Sequence, residues 1–236
     1  MSAWLVRLAL AGLVLRVVGW ERIANLVRWA DQRLDLFSPR GASLYARIAP
    51  RVLAPLYRTI AEEASASGAR SVLDVGTGPG ALAVEIARHA DARVVVGVDL
   101  APEMLATAGR RATEAHVAER VEFVVADAAA LPMAEGSVDL VVSSLSLHHW
   151  ADPAGVLREL HRVVRPGGSV ILHDVRFSYS PRQFAEFVAG GPFANAGFSY
   201  RTLAVGPVPL ALFARYELTK RRARRGDDEN ARGILR

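Results

Sequence analysis

The chain predicts an α/β fold built on a doubly wound, mostly parallel sheet, and three observations carry the prediction. An apolar segment, Val72-Leu73-Asp74-Val75, runs into the alternate glycines Gly76, Gly78 and Gly80 and then into a helix-like stretch over residues 81–90. Further short apolar runs, residues 94–98, 121–126 and 138–142, each give way to polar residues: Asp99, Asp127, and Ser143 with Ser144. Arg165-Pro166-Gly167-Gly168 then reads as a turn that stops one helix and starts a strand over residues 169–173. Open α/β sheets bind ligands at the carboxyl ends of such strands, where these polar residues gather.

Taken in order, residues 4–30 read as a helix that is apolar all round but interrupted by Arg7, Arg16, Glu21, Arg22 and Arg28. Its longest uncharged stretch, residues 8–15, is far shorter than the roughly 20 residues a membrane span needs. A secretory leader fits no better, since Arg16 falls where its apolar core would continue. Such a helix must hide its Leu and Val side chains as a lid, at a homodimer contact, or at a membrane interface, with Trp4, Trp20 and Trp29 at headgroup level. Ser38-Pro39-Arg40-Gly41 breaks the pattern, a second helical region covers residues 44–63, and residues 65–68 link it to the first strand.

The glycine turn predicts a nucleotide-cofactor loop, because glycines let backbone turn sharply against a ligand and the next helix offers free N–H groups and a positive dipole end. Asp99 lies about 20 residues beyond it, where a carboxylate meets the ribose hydroxyls of an adenosine. Downstream, residues 153–164 and 181–189 are amphipathic helices, and residues 198–205 and 211–219 read as two strands joined across Gly206-Pro207-Val208-Pro209. Asp139 begins its strand and reads as structural.

Residues 71–175 together resemble the class I S-adenosylmethionine-dependent methyltransferases, of the small-molecule and quinone type. The resemblance rests on Asp74-Val75-Gly76-Thr77-Gly78-Pro79-Gly80, Asp99, Ala126-Asp127-Ala128, the Asp139 strand and the Arg-Pro-Gly-Gly element. It implies a Rossmann-like seven-stranded sheet in the order 3-2-1-4-5-7-6 with the last strand antiparallel, following an N-terminal helical extension. It further implies that Gly76, Thr77, Gly78 and Gly80 cradle S-adenosylmethionine at its methionine part, with Asp74 orienting the amino group directly or through water. Asp99 would take the ribose hydroxyls, Leu100 and Met104 would flank the adenine, and Asp127 with the Ala128 N–H would read its edge. Ser143 would border the reacting methyl, and the product would be S-adenosylhomocysteine. His148 or His149, in Ser146-Leu147-His148-His149-Trp150, is the general-base candidate. Tyr45, Tyr57 and His173 are candidates to face the acceptor, His173 is the second choice for the base, and Asp174 beside it could orient a histidine or face the acceptor.

Gly76 to Ala81 also satisfies the dinucleotide pattern, so a nicotinamide or flavin oxidoreductase is one alternative, weighed against by Asp127, by the Arg-Pro-Gly-Gly turn and by the lack of a second catalytic domain. A non-catalytic relative serving as a binding or assembly module is the other. The expected division is residues 1–68 as a helical extension or lid, 69–219 as the methyltransferase domain and 220–236 as a disordered basic tail. With 51% hydrophobic and 22% charged residues the chain is globular, and with no cysteine it has neither disulfides nor thiolate metal sites. No metal is expected from six histidines without ligand spacing. The net charge of +5 sits at the ends: residues 1–60 carry nine Arg against three acids, and residues 220–236 seven basic against three acidic residues. The body between is mildly acidic, which argues against a nucleic-acid substrate. The partner expected is a small, hydrophobic acceptor such as a phenol, quinone, polyketide or lipid, and the place expected is the cytoplasm, with peripheral contact at the inner face of the membrane through residues 1–30.

Overall fold

In the computed structural model, residues 50–205 and 211–222 are described. The expectations for residues 1–30, for Tyr45 and for the basic tail beyond residue 222 lie outside them. The described elements run α1 (Ala54–Ala66), β1 (Ser71–Val75), α2 (Ala81–His89), β2 (Val94–Asp99), α3 (Pro102–Glu114), β3 (Val121–Val125), β4 (Val138–Ser144), a 3-10 turn (Leu147–His149), α4 (Pro153–Val163), β5 (Val164–Val175), α5 (Pro181–Ala189), β6 (Ser199–Ala204) and β7 (Ala211–Thr219). The seven strands form one sheet in the order β3-β2-β1-β4-β5-β7-β6, as expected. The first five are parallel, and β7 runs antiparallel to both β5 and β6.

Central strands with apolar residues on both sides need a helical layer on each face. One face is covered by α1 and α2, whose Leu56, Ile60, Leu82 and Ile86 pack on Val72, Val95 and Leu140. The other is covered by α4 and α5, whose Leu157, Leu160 and Phe184 pack on Leu73, Val141, Val170 and Leu172. Phe184 stacks on Tyr216 of β7 with ring centroids 4.1 Å apart. Pro at the first turn starts α3, α4 and α5, and Ser180 with Gln183 closes a full capping box on α5. Arg165 to Gly168 departs from the expected helix-stopping turn. Strand β5 already begins at Val164, which pairs with Val138, and the next pair is Leu140 with Ser169, so the four residues form an excursion inside the strand. Asp139, on the facing strand, accepts the backbone N–H groups of Arg70 at 2.8 Å and Ser71 at 2.9 Å and pairs with Arg165. Burial would raise its pKa, but Arg165, Ser71 and Arg70 together bring it down to about 2. It is a stitch between β1, β4 and β5 at the end of the sheet away from the glycine turn.

Candidate active site

The carboxyl ends of β1, β2 and β3 bring the expected cofactor residues to one edge. Gly76, with φ +70°, directly follows β1, and its N–H and that of Thr77 both donate to the Val98 carbonyl at 2.9 Å. A Cβ at Gly76 would lie 2.5 Å from the Cβ of Ser146 and closer still to its Oγ, so only glycine fits there. Gly78, with φ +52°, faces open space. Its N–H donates to Asp99 Oδ2 at 2.8 Å, while Asp99 Oδ1 accepts from Ala101 N–H at 3.0 Å. Gly80 instead meets Ala108 of α3 and Phe123 of β3, so its missing side chain serves helix packing.

Asp74 is 1% exposed. Its Oδ2 accepts the Thr77 hydroxyl at 2.7 Å, and its Oδ1 is buried with no partner. Burial pushes its pKa up to about 7; the Thr77 hydroxyl opposes the rise, the Asp99 charge adds to it, and the nearby Ala83 backbone N–H lowers it slightly. Leu100 is 68% exposed and Met104 is buried on α3. Asp127 is exposed just past β3, and its Oδ1 accepts from Ala129 N–H at 2.9 Å, beside half-buried Ala128. Ser143 is buried and its hydroxyl is committed to the Val75 carbonyl at 2.8 Å.

The histidine side is built on β4 and β5. Leu145 leaves β4 in the left-handed region, φ +55°, where its N–H donates to the His173 carbonyl at 2.8 Å. The chain then makes the 3-10 turn carrying His148. His148 Nδ1 is 2.7 Å from Asp174 Oδ1, and the His148 N–H donates to Asp174 Oδ2 at 3.0 Å. Val175 N–H at 2.6 Å and the Ser178 hydroxyl at 3.2 Å also donate to Asp174 Oδ1, so this carboxylate, 1% exposed, has four donors. A carboxylate only accepts, so the imidazole presents Nδ1–H to Asp174 and keeps Nε2 as its basic nitrogen. His149 is exposed, its ring tilted 47° against that of His148 with centroids 3.9 Å apart.

Two candidates for the acceptor pocket lie elsewhere. His173 is 1% exposed on the face of β5 opposite Asp174, its Nε2 3.6 Å from Glu63 Oε2 on α1. Burial drives its pKa down, with Glu63 opposing. Arg215 donates to the same Glu63 oxygen at 2.9 Å. Burial would raise the Glu63 pKa, but His173 and Arg215 lower it to about 2. Tyr57 is packed under α1 and lines a cavity of about 350 Å³ with Ala54, Val84, Arg88 and Arg111, the last of which reaches back to the Pro79 carbonyl of the glycine turn. Sequence reading did not single out Ser146 as the contact of Gly76, nor Trp150 as its partner. The only available signal was their place in the segment after β4.

Among the described residues, no group of acidic, His or Cys side chains could hold a metal ion, and no helix is long and apolar enough to cross a membrane.

The methyltransferase-domain family matches residues 73–172. A demethylmenaquinone methyltransferase of Thermus thermophilus is 43% identical over 103 residues, 44% of this chain and 46% of the relative. A ubiquinone/menaquinone biosynthesis C-methyltransferase of Geotalea uraniireducens is 35% identical over 156 residues, 66% of this chain and 61% of the relative. A 27-O-demethylrifamycin SV methyltransferase of Amycolatopsis mediterranei is 39% identical over 110 residues, 47% of this chain and 40% of the relative. The chain thus spans about half the length of the curated relatives it matches. Among solved structures, an S-adenosylmethionine-dependent methyltransferase of Aquifex aeolicus shares the fold at TM-score 0.54 and 20% identity, over 80% of this chain and 95% of that one. An O-methyltransferase family protein of Burkholderia thailandensis does so at TM-score 0.65 and 16% identity, over 78% and 61%. With the strand order, the glycine turn and the matched stretch in agreement, residues 73–172 of this chain carry a methyltransferase domain, and the sheet has the fold of S-adenosylmethionine-dependent methyltransferases.

Proposed function

We propose that this protein transfers a methyl group from S-adenosylmethionine to a small hydrophobic acceptor, a phenol, quinone or polyketide, with His148 as general base. The observation that carries the reading is the pair of His148 and Asp174, in the segment after β4 whose Ser146 lies on Gly76 of the glycine turn; the buried carboxylate takes Nδ1–H, so Nε2 carries the ring's lone pair. The residues present fit the cofactor. Asp74 Oδ1, buried without a partner, suits an ammonium group, and the open space at Gly78 suits a ligand lying on the backbone. Asp74, Gly76, Thr77, Gly78, Gly80, Asp99, Leu100, Met104, Asp127, Ala128 and Ser143 are the residues that would hold it.

The cofactor supplies a methyl already activated on a sulfonium. The protein's share is therefore alignment, exclusion of water and, for a hydroxyl or carbon acid, removal of one proton. His148 Nε2 takes that proton, and Asp174 stabilises the imidazolium and keeps its ring in place. The relatives whose names mention a menaquinone precursor and a rifamycin support a flat, oxygenated, largely apolar acceptor.

Calorimetric titration with S-adenosylmethionine, S-adenosylhomocysteine and NADH, followed by transfer of labelled methyl to a panel of phenols, naphthoquinols and polyketides, tests the reading. Low-micromolar binding of the first two, with transfer to a panel member, is the expected result. Binding of NADH alone would replace the reading with an oxidoreductase, and cofactor binding without transfer to any extract from the source cell would favour a binding module.

A further inference from the structure

One contact joins the two halves of the site. Ser146 sits on Gly76 where a side chain would otherwise be, and the Trp150 indole N–H donates to Ser146 Oγ at 3.0 Å. The Ser146 carbonyl accepts the His149 N–H at 2.9 Å and thereby starts the turn that carries His148. Leu145 behind it is held in the left-handed region. Ser146 is therefore clamped from Trp150 on one side and lies on glycine backbone on the other.

We infer that Ser146, braced by Trp150, is a positioning residue that passes the state of the glycine turn to the His148 ring. The inference rests on the functional reading above. Contact between a side chain and a Cα that bears no Cβ leaves no rotamer on the glycine side to absorb a displacement, so movement of Gly76 reaches Ser146 directly. The indole N–H holds the serine oxygen in one rotamer, which removes the compliance on the other side. His148 is tied to Asp174 by its ring and its backbone N–H, and the segment 144–150 is the link between that anchor and the turn. A plain cap on the 3-10 turn would make the same hydrogen bond without coupling His148 to the cofactor loop.

Imidazole NMR of the full chain distinguishes the two, with S-adenosylhomocysteine as the probe and His148→Asn identifying the His148 signal. In the wild type the signal shifts on addition of the probe. In Ser146→Ala and in Trp150→Phe the shift falls to about a third or less, while calorimetric affinity for the probe stays within about threefold. The double variant behaves as either single one does. A full shift in both variants, a wild-type His148 signal that ignores bound probe, or an affinity loss of about tenfold or more that accounts for the lost shift would each overturn the inference and leave the functional reading standing. A wild-type protein that binds no S-adenosylhomocysteine would overturn both.

Discussion

Asp74 and Asp174 both close a central strand and both are 1% exposed, yet their surroundings are opposite. Asp174 has four donors around it, two of them from His148. Asp74 has the Thr77 hydroxyl on one oxygen and an orphan on the other. A buried acid whose hydrogen bonds are met inside the fold is an orienting part of it. One left short is costly until something else supplies the partner. On the proposed function, the contrast gives Asp174 to the histidine and leaves Asp74 for a cationic ligand.

The largest effect is expected at the first of the two. Asp174→Asn replaces an acceptor with an amide that can hold the wrong imidazole tautomer, and His148→Asn removes the base. Each should cut kcat by about 10²–10⁴ with an active acceptor, and the double variant should be no worse than either. Additive losses in steady-state kinetics would separate the pair that the geometry joins.

Asp99→Ala comes next. It strips acceptors from Gly78 and Ala101 N–H and, on the proposed function, from the cofactor's ribose, and should weaken S-adenosylmethionine binding by roughly 1–3 kcal/mol, with kcat at saturation little changed. Calorimetry that finds unchanged affinity would remove Asp99 from the site.

Asp74 is sharpened by pH. Because its folded pKa is raised from 3.8 to about 7, its contribution to stability is fully present below about pH 4 and is lost as pH rises through 7. Ligand-free protein should lose stability across that window with a slope of up to about one proton, and Asp74→Asn should flatten the slope. Binding the cofactor's ammonium should release that proton, which titrations in buffers of different ionisation enthalpy would record. A thermal-unfolding series with the same pH slope in both proteins would refute the assignment.

The smallest effect belongs to a third acid, Asp139, at the other end of the sheet. Its pKa is lowered, so its contribution is complete above about pH 4 and drains away as pH falls toward 2. Asp139→Asn should cost on the order of 1 kcal/mol, a few degrees in Tm, and leave kcat alone.

The glycine turn, its flanking strands and the helix at Pro181–Ala189 are legible in the sequence because each is local: a run of Val and Leu, a glycine pattern, a proline after a capping serine. The strand order was accessible through the family resemblance, since no local pattern says that β7 inserts between β5 and β6. The excursion at Arg165–Gly168 was misread because a Pro-Gly-Gly run looks the same whether it ends a helix or bulges a strand. Tyr57, expected near the acceptor from its place in the N-terminal helical segment, and His173, expected there from its place at the end of β5, both pack on the α1 side, an arrangement that only tertiary packing shows. That Asp174 could orient a histidine was legible from its place at the end of β5, but that the histidine is His148, 26 residues away, depends on β4 and β5 ending in step, Ser144 beside His173, which no one-dimensional pattern records.

That register carries a safeguard. A slip of β5 by one residue in either direction would move His173 and Asp174 each to the opposite face. Slipped one way, Asp174 would take the place of His173 beside Glu63 and set carboxylate against carboxylate; slipped the other way, His173 would take the place of Asp174 and face the His148 imidazole with no acid between them. Both mispairings are electrostatically unfavourable and the native one is favourable on both faces, so adjacent histidine and aspartate at the strand's end act as a key that admits a single alignment of the sheet.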